Sequence, residues 1–406
     1  MVKKIFFIPL LLAVFTAFLA CDSFMETPAD SEVKEYEHFR EVLKDSVFTL
    51  SQLKDVLMAI YPEEVVNNPN MFKIIDLLDT TRTIKNTAIS YVTKDPKGND
   101  IIASGLVVTP VGRPSKGVLH FFPAAKINKS TVGTKLMLTF EGILGFFGYT
   151  VIIPDLIGYG ISEDKEYPFL FPENTGQVAY DLHLAAAEYF HSLGQPFSRE
   201  VTIGGYSMGG MGVVALHKHI ETKGKDGFVV KHSYPGGGIY DLNETIRYYR
   251  DAKSHHHPFM PYVFIALDYW YNLDLNYSQI FKDPLLSNMD DWLSRTYSVQ
   301  DVEKFLGEDI TWYMHPDFFT EEGNESLRKT YAYIKDHSVF AGWHPRSPMT
   351  IIHSTKDEVA PFSIARKMYD SFYKKGSFVT LLTSEEDHFA YGIQYFASLV
   401  IYLTIK

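Results

Sequence analysis

Only one of the 406 residues is a cysteine, Cys21, so no disulfide can close within the chain. Stability has to come from burial, and a 46% hydrophobic chain of this length has enough material for it. Length allows one large domain with an insertion, or two domains. Positive charge is scarce as well: 38 Lys and Arg face 49 Asp and Glu, and basic runs stop at two or three residues. Neutralising phosphates needs clustered Lys and Arg, so a nucleic-acid partner is not expected. Nucleotide signatures are missing. The richest glycine cluster, IGGYSMGG at 203–210, is not followed by G-K-[ST], and the spacing G-x-G-x-x-G does not occur there. The run His255-His256-His257 precedes Pro258 with no accompanying carboxylate or cysteine pattern. Three adjacent side chains cannot easily face one ion, so the run reads as a polar loop; no metal and no cofactor are expected.

One apolar run is present, at the start: MVKKIFFIPLLLAVFTAFLACDS. Lys3 and Lys4 lead into the segment from Ile5 to Ala20, which ends at Cys21. That is the layout of a secretory signal peptide, and it falls short of the roughly 20 residues a spanning helix needs. The cysteine at its end resembles a bacterial lipoprotein processing site, although Phe18 stands where leucine is usual. The resemblance implies that residues 1–20 are removed and that Cys21 carries a lipid, with the protein extracytoplasmic on a bacterial membrane, periplasmic or at the cell surface. An uncleaved anchor with an incidental cysteine is the plainer alternative.

Residues 21–86 read as a tether and a helical leader. SEVKEYEHFREVL is charged and amphipathic, and FTLSQLKDVLMAI repeats apolar residues at three- and four-residue spacing. From residue 87 the pattern turns to strands: TAISYVT and DIIASGLVVTP flank the turn DPKGN. GVLHFFP, YTVIIPD, EVTIGGY and GFVVKHSYPGG are short runs with little alternation, as in strands covered on both faces. Helices lie between them, GQVAYDLHLAAAEYFHSLG and MGGMGVVALHKHIE. The alternation predicts an α/β fold with a mostly parallel sheet over 87–238 and 345–406. Residues 239–344 carry few strand signals and read as a mainly helical cap, because a structureless insertion of that length is improbable. Its aromatic run FMPYVFIALDYWYNL suits either the cap's own core or the lining of an acyl pocket.

Gly205-Tyr206-Ser207-Met208-Gly209 fits G-x-S-x-G at a strand-to-helix junction, the context that makes this common pattern informative. A sharp turn there exposes the serine hydroxyl, and the helix N-terminus directs partial positive charge at a developing oxyanion. A serine hydroxyl needs a general base. In such a fold the partners follow in the order serine, acid, histidine. Asp357 stands directly after the strand MTIIHSTK, and His388 after the strand that follows it. Both fall at strand C-terminal ends, where open α/β sheets collect their sites. Glu358, Glu386 and Asp387 are competing acids, none of them in the first position after a strand.

These residues, with PDLIGYGIS (154–162), KDEVAP and the late Asp387-His388, resemble the α/β-hydrolase superfamily over residues 87–238 and 345–406. Within it they are similar to secreted bacterial lipases and esterases related to fungal secretory lipases. The resemblance implies a serine hydrolase that cleaves carboxylic esters of small molecules, glycans or lipids through an acyl-enzyme on Ser207. It also implies structural roles for Asp155, Gly158 and Gly160. The family usually has His-Gly after its third strand, and here the chain reads HFFPAAK. Pro123 has no N–H, so Ala124 or Ala125 is expected to complete the oxyanion hole beside the N–H of Met208. A serine peptidase of the prolyl-oligopeptidase type would need a large β-propeller before the core, which the short leader cannot supply. An acyltransferase on the same fold, or a non-catalytic binding lipoprotein, stays as the further alternative.

Overall fold

The computed structural model describes residues 36–53, 55, 75, 78, 81–335 and 337–405. The signal segment and Cys21 lie outside them. The chain divides into Met1–Glu37 and His38–Lys406, and every element below belongs to the second unit.

Among the described residues, nine strands form one sheet in the order β1-β2-β3-β5-β4-β6-β7-β8-β9. Strands β1 (Phe39–Thr49), β2 (Thr83–Lys94) and β3 (Asp100–Pro110) pair antiparallel, and β3 joins β5 the same way. From β5 (Thr150–Pro154) through β4 (Val118–Phe122), β6 (Glu200–Tyr206), β7 (Val229–Gly236), β8 (Met349–Ser354) and β9 (Val379–Ser384) the pairing is parallel. The central strands β4, β5 and β8 are buried along their whole length. That is why their sequences show no polar alternation.

Helices cover both faces. Helix α1 (Pro172–Ser192) and helix α2 (Met208–Thr222) follow β5 and β6. The segment between β7 and β8 carries α3 (Leu242–Ala252), α4 (Met260–Tyr271), α5 (Leu285–Trp292), α6 (Val299–Leu306) and α7 (Glu325–Ile334). Helix α8 (Phe362–Lys374) connects β8 to β9, and α9 (His388–Ile405) closes the described chain. One core unites α1, α2, α8 and the β7–β8 segment with one sheet face. Leu399, Phe396 and Tyr395 of α9 anchor the other, with Leu144 and Phe146. Most of the aromatic run of α4 lies in the first core, including Phe264 and Trp270.

One expectation for the leader is overturned. The apolar residues Phe39, Val42, Leu43, Val47 and Phe48 are spaced as on a helix, yet Phe39–Thr49 is a strand. Register shifts against β2 between Phe39 and Glu41 and between Val42 and Lys44 move the alternation out of phase, so the two-residue period is hidden. The backbone N–H groups of His38 and Phe39 donate to Glu188 of α1 at 2.9 and 2.6 Å, fixing the start of the strand.

Candidate active site

The C-terminal ends of β6, β8 and β9 deliver three side chains to one point. Ser207 follows β6 with φ 59° and ψ −125°, a conformation that non-glycine residues occupy only when their surroundings hold them there. The surroundings do hold it. Its N–H donates to the Gly236 carbonyl at 2.9 Å, and its carbonyl accepts from Gly210 at 2.8 Å. A Cβ on Gly205 would lie 2.6 Å from the Gly209 carbonyl oxygen, and one on Gly209 would lie 2.4 Å from that of Phe122. Gly210 and Gly212 likewise touch the Gly236 carbonyl and the Phe122 ring, so the glycine cluster lets α2 approach β4 and β7.

His388 is the first residue of α9. Its Nε2 stands 3.0 Å from Ser207 Oγ, and its Nδ1 lies 2.9 and 2.8 Å from the two carboxylate oxygens of Asp357. A carboxylate at Nδ1 selects the tautomer protonated there, which leaves the Nε2 lone pair facing the serine hydroxyl. Asp357 accepts the N–H groups of Val359 and Ala360 at 3.0 and 2.6 Å, and so is oriented by its own turn. All three are withdrawn from solvent, at 8%, 5% and 2% exposure for Ser207, Asp357 and His388. The arrangement can transfer a proton from a hydroxyl nucleophile to a base and hold the resulting imidazolium.

Of the competing acids, Glu358 serves the histidine in a different way, its carboxylate accepting the backbone N–H of His388 at 3.1 Å. Tyr206 holds the same residue from the other end, donating its hydroxyl to the His388 carbonyl at 2.7 Å with the rings 5.1 Å apart. Tyr249 of α3 donates to the Val359 carbonyl in the Asp357 turn. Sequence reading assigned none of these contacts, although Tyr206 lies inside the pentapeptide and Glu358 beside the acid.

Ala124 and Met208, the residues expected to supply oxyanion donors, line one small cleft with Pro123 and Tyr159. Ala125 instead packs against the core. Met208 and Gly209 open α2, and N–H groups of a first helical turn have no carbonyl one turn earlier within the helix. Asp155 accepts the Ser104 hydroxyl at 2.6 Å and both the N–H and the hydroxyl of Thr134, while burial pushes its carboxyl up from the ordinary range. Gly158 and Gly160 have positive φ, and a Cβ on either would strike Tyr167 or Asp155. This loop builds the wall of the site rather than its chemistry.

The histidine run is not the polar loop expected from its composition. His255 and His257 are buried, with His255 Nδ1 bonded to the His257 carbonyl at 2.6 Å and its Nε2 3.3 Å from the Tyr313 hydroxyl. Aromatic neighbours, Phe259 and Tyr249 among them, cover the imidazoles. Among the described residues, no cluster of His, Cys, Asp and Glu is arranged to hold a metal ion.

No protein-family model and no curated protein matches the chain. Solved structures do. A presumed hydrolase of Legionella pneumophila superposes with a TM-score of 0.75 at 20% identity, covering 90% of this chain and 97% of that one. The rice cell wall degrading esterase LipA of Xanthomonas oryzae gives 0.72 at 20%, covering 89% and 96%. Candida antarctica lipase A gives 0.59 at 15%, covering 75% and 73%. At such identities the likeness concerns architecture, and with the sheet order above it makes this an α/β-hydrolase fold with a helical insertion.

Proposed function

We propose that this α/β-hydrolase-fold chain is a carboxylic ester hydrolase working through an acyl-enzyme on Ser207. The observation that carries the reading is the unbroken relay Ser207 Oγ, His388 Nε2, His388 Nδ1, Asp357, each link within 3.0 Å. Ser207 Oγ attacks the ester carbonyl as its proton passes to His388 Nε2. Asp357 stabilises the imidazolium without taking its proton. The N–H groups of Met208 and Ala124 face the oxyanion. Collapse of the tetrahedral species breaks the ester C–O bond, and His388 hands its proton to the departing alcohol. Water then attacks the acyl group, His388 takes one of its protons, and the second collapse returns that proton to Ser207 Oγ and frees the acid.

Tyr159, Leu156 and Val132 add apolar surface to the small cleft that holds Ala124 and Met208. Similarity in fold to an esterase and a lipase supports the same class. The N-terminal pattern adds that the enzyme is exported and tethered by lipid at Cys21. Detergent phase partition of the native protein and of Cys21→Ser checks that part: the native chain should enter the detergent phase and the variant should not.

The test of the activity is an ester panel graded by acyl length and by alcohol, run on the native protein and on Ser207→Ala. Native turnover with loss of several orders of magnitude in the variant is expected. Equal rates for the two proteins would refute the role of Ser207.

A further inference from the structure

The geometry points to Arg295, far along the chain in the helical insertion, as the positioning residue of the oxyanion loop. The inference rests on the ester-hydrolase reading above. Arg295 is 4% exposed and has φ 64°, a left-handed conformation for a bulky residue. Both the buried guanidinium and the left-handed backbone are costly, so something local must offset them.

What offsets them is a set of contacts that meets both walls of the oxyanion site. The guanidinium donates to the Gly158 carbonyl at 2.7 Å and to the Lys165 carbonyl at 3.5 Å, with the Glu166 carboxylate 3.9 Å away. It lies 4.3 Å over the Tyr159 ring and 5.8 Å from that of Tyr167. Tyr159 donates its hydroxyl to the Lys126 carbonyl, two residues beyond Ala124. Tyr167 places its hydroxyl 2.7 Å from Met208 Sδ. Two further bonds complete the tie: the Arg295 carbonyl accepts the Lys129 N–H at 2.9 Å, and the Thr296 carbonyl accepts the Asn128 side-chain amide at 2.6 Å. One side chain therefore braces Ala124 through Tyr159 and Met208 through Tyr167. It joins the insertion to the two residues whose N–H groups are to meet the oxyanion.

Neither lysine nor methionine can replace it. Lysine lacks the planar fork and stacks poorly, while methionine leaves the Gly158 carbonyl without its donor. Losing a single oxyanion donor costs about 10²–10³ in kcat. A displaced donor should cost less, so Arg295→Lys and Arg295→Met are expected to lose roughly 10–100-fold in kcat with KM within about twofold. Tyr159→Phe removes the hydroxyl, with its bond to the Lys126 carbonyl and its contact with the Arg295 guanidinium, and keeps the ring packing; a smaller loss of the same kind is expected.

The test compares kcat/KM for a carbonyl ester and for its thionoester. Sulfur is a poor acceptor, so the ratio reports on the oxyanion donors and not on folding or on His388. The ratio should fall about tenfold in the Arg295 variants and measurably in Tyr159→Phe, with circular dichroism unchanged. If either Arg295 variant fails to fold, Tyr159→Phe alone decides. An unchanged ratio in a folded variant overturns the inference while leaving the esterase reading intact. A native protein that cleaves neither ester overturns the reading itself.

Discussion

At the scale of single residues, the site is a relay assembled across the chain: His388 lies 181 positions from Ser207 and 31 from Asp357. Ser207, Asp357 and His388 were legible in the sequence because each follows a strand, and strand ends are visible as apolar runs that stop. Tyr206, Glu358 and Arg295 were not, since their roles are hydrogen bonds to main-chain groups of distant segments, and no local pattern records such a partner. The two carboxylates of KDEVAP can be separated by experiment. Asp357→Asn should lower kcat by about 10⁴, because an amide no longer selects the Nδ1-protonated imidazole. Glu358→Gln keeps an acceptor for the His388 N–H and should cost less than about tenfold. Steady-state kinetics on the two variants checks the assignment; the reverse order of losses would transfer the orienting role to Glu358.

Among the elements, α2 shows why propensity was a poor guide where function intervenes. Glycines in its first turns disfavour a helix by about 1 kcal/mol each, yet they are required by carbonyl oxygens of β4 and β7 lying where Cβ atoms would be. Gly209→Ala forces its methyl against the Phe122 carbonyl oxygen at 2.4 Å, and should destabilise the fold by roughly 1–3 kcal/mol. Urea unfolding at neutral pH measures this directly, and an unchanged midpoint would mean that the helix can shift freely on the sheet. The buried strands were readable for the opposite reason: with both faces covered, nothing polar interrupts them. Strand β1 misled because its bulges break the two-residue period and its faces are largely exposed, so the residual apolar spacing imitated a helix.

For the molecule as a whole, burial imposes a pH dependence on stability. Desolvation pushes His183 and His257 down to about 3, and His120 well below its ordinary value, so the folded state keeps all three neutral. Their contribution is fully present above the unfolded value of about 6.5, and it is lost as pH falls through the range below. Each adds a slope of about 1.4 kcal/mol per pH unit in that window. Unfolding free energy measured by urea at pH 7 and pH 5 should therefore drop steeply, and His183→Phe, whose ring would rest on Phe228 and Phe197, should flatten the slope. A pH-independent value over that interval would show that these imidazoles reach water or a partner. What the assembled fold does with Ser207 can be read by rapid-quench mixing with a nitrophenyl ester. A burst of nitrophenol stoichiometric with enzyme is expected, with the acyl mass recovered on the peptide containing Ser207. Steady release from the first turnover, with an acyl adduct found on some other residue, would contradict it.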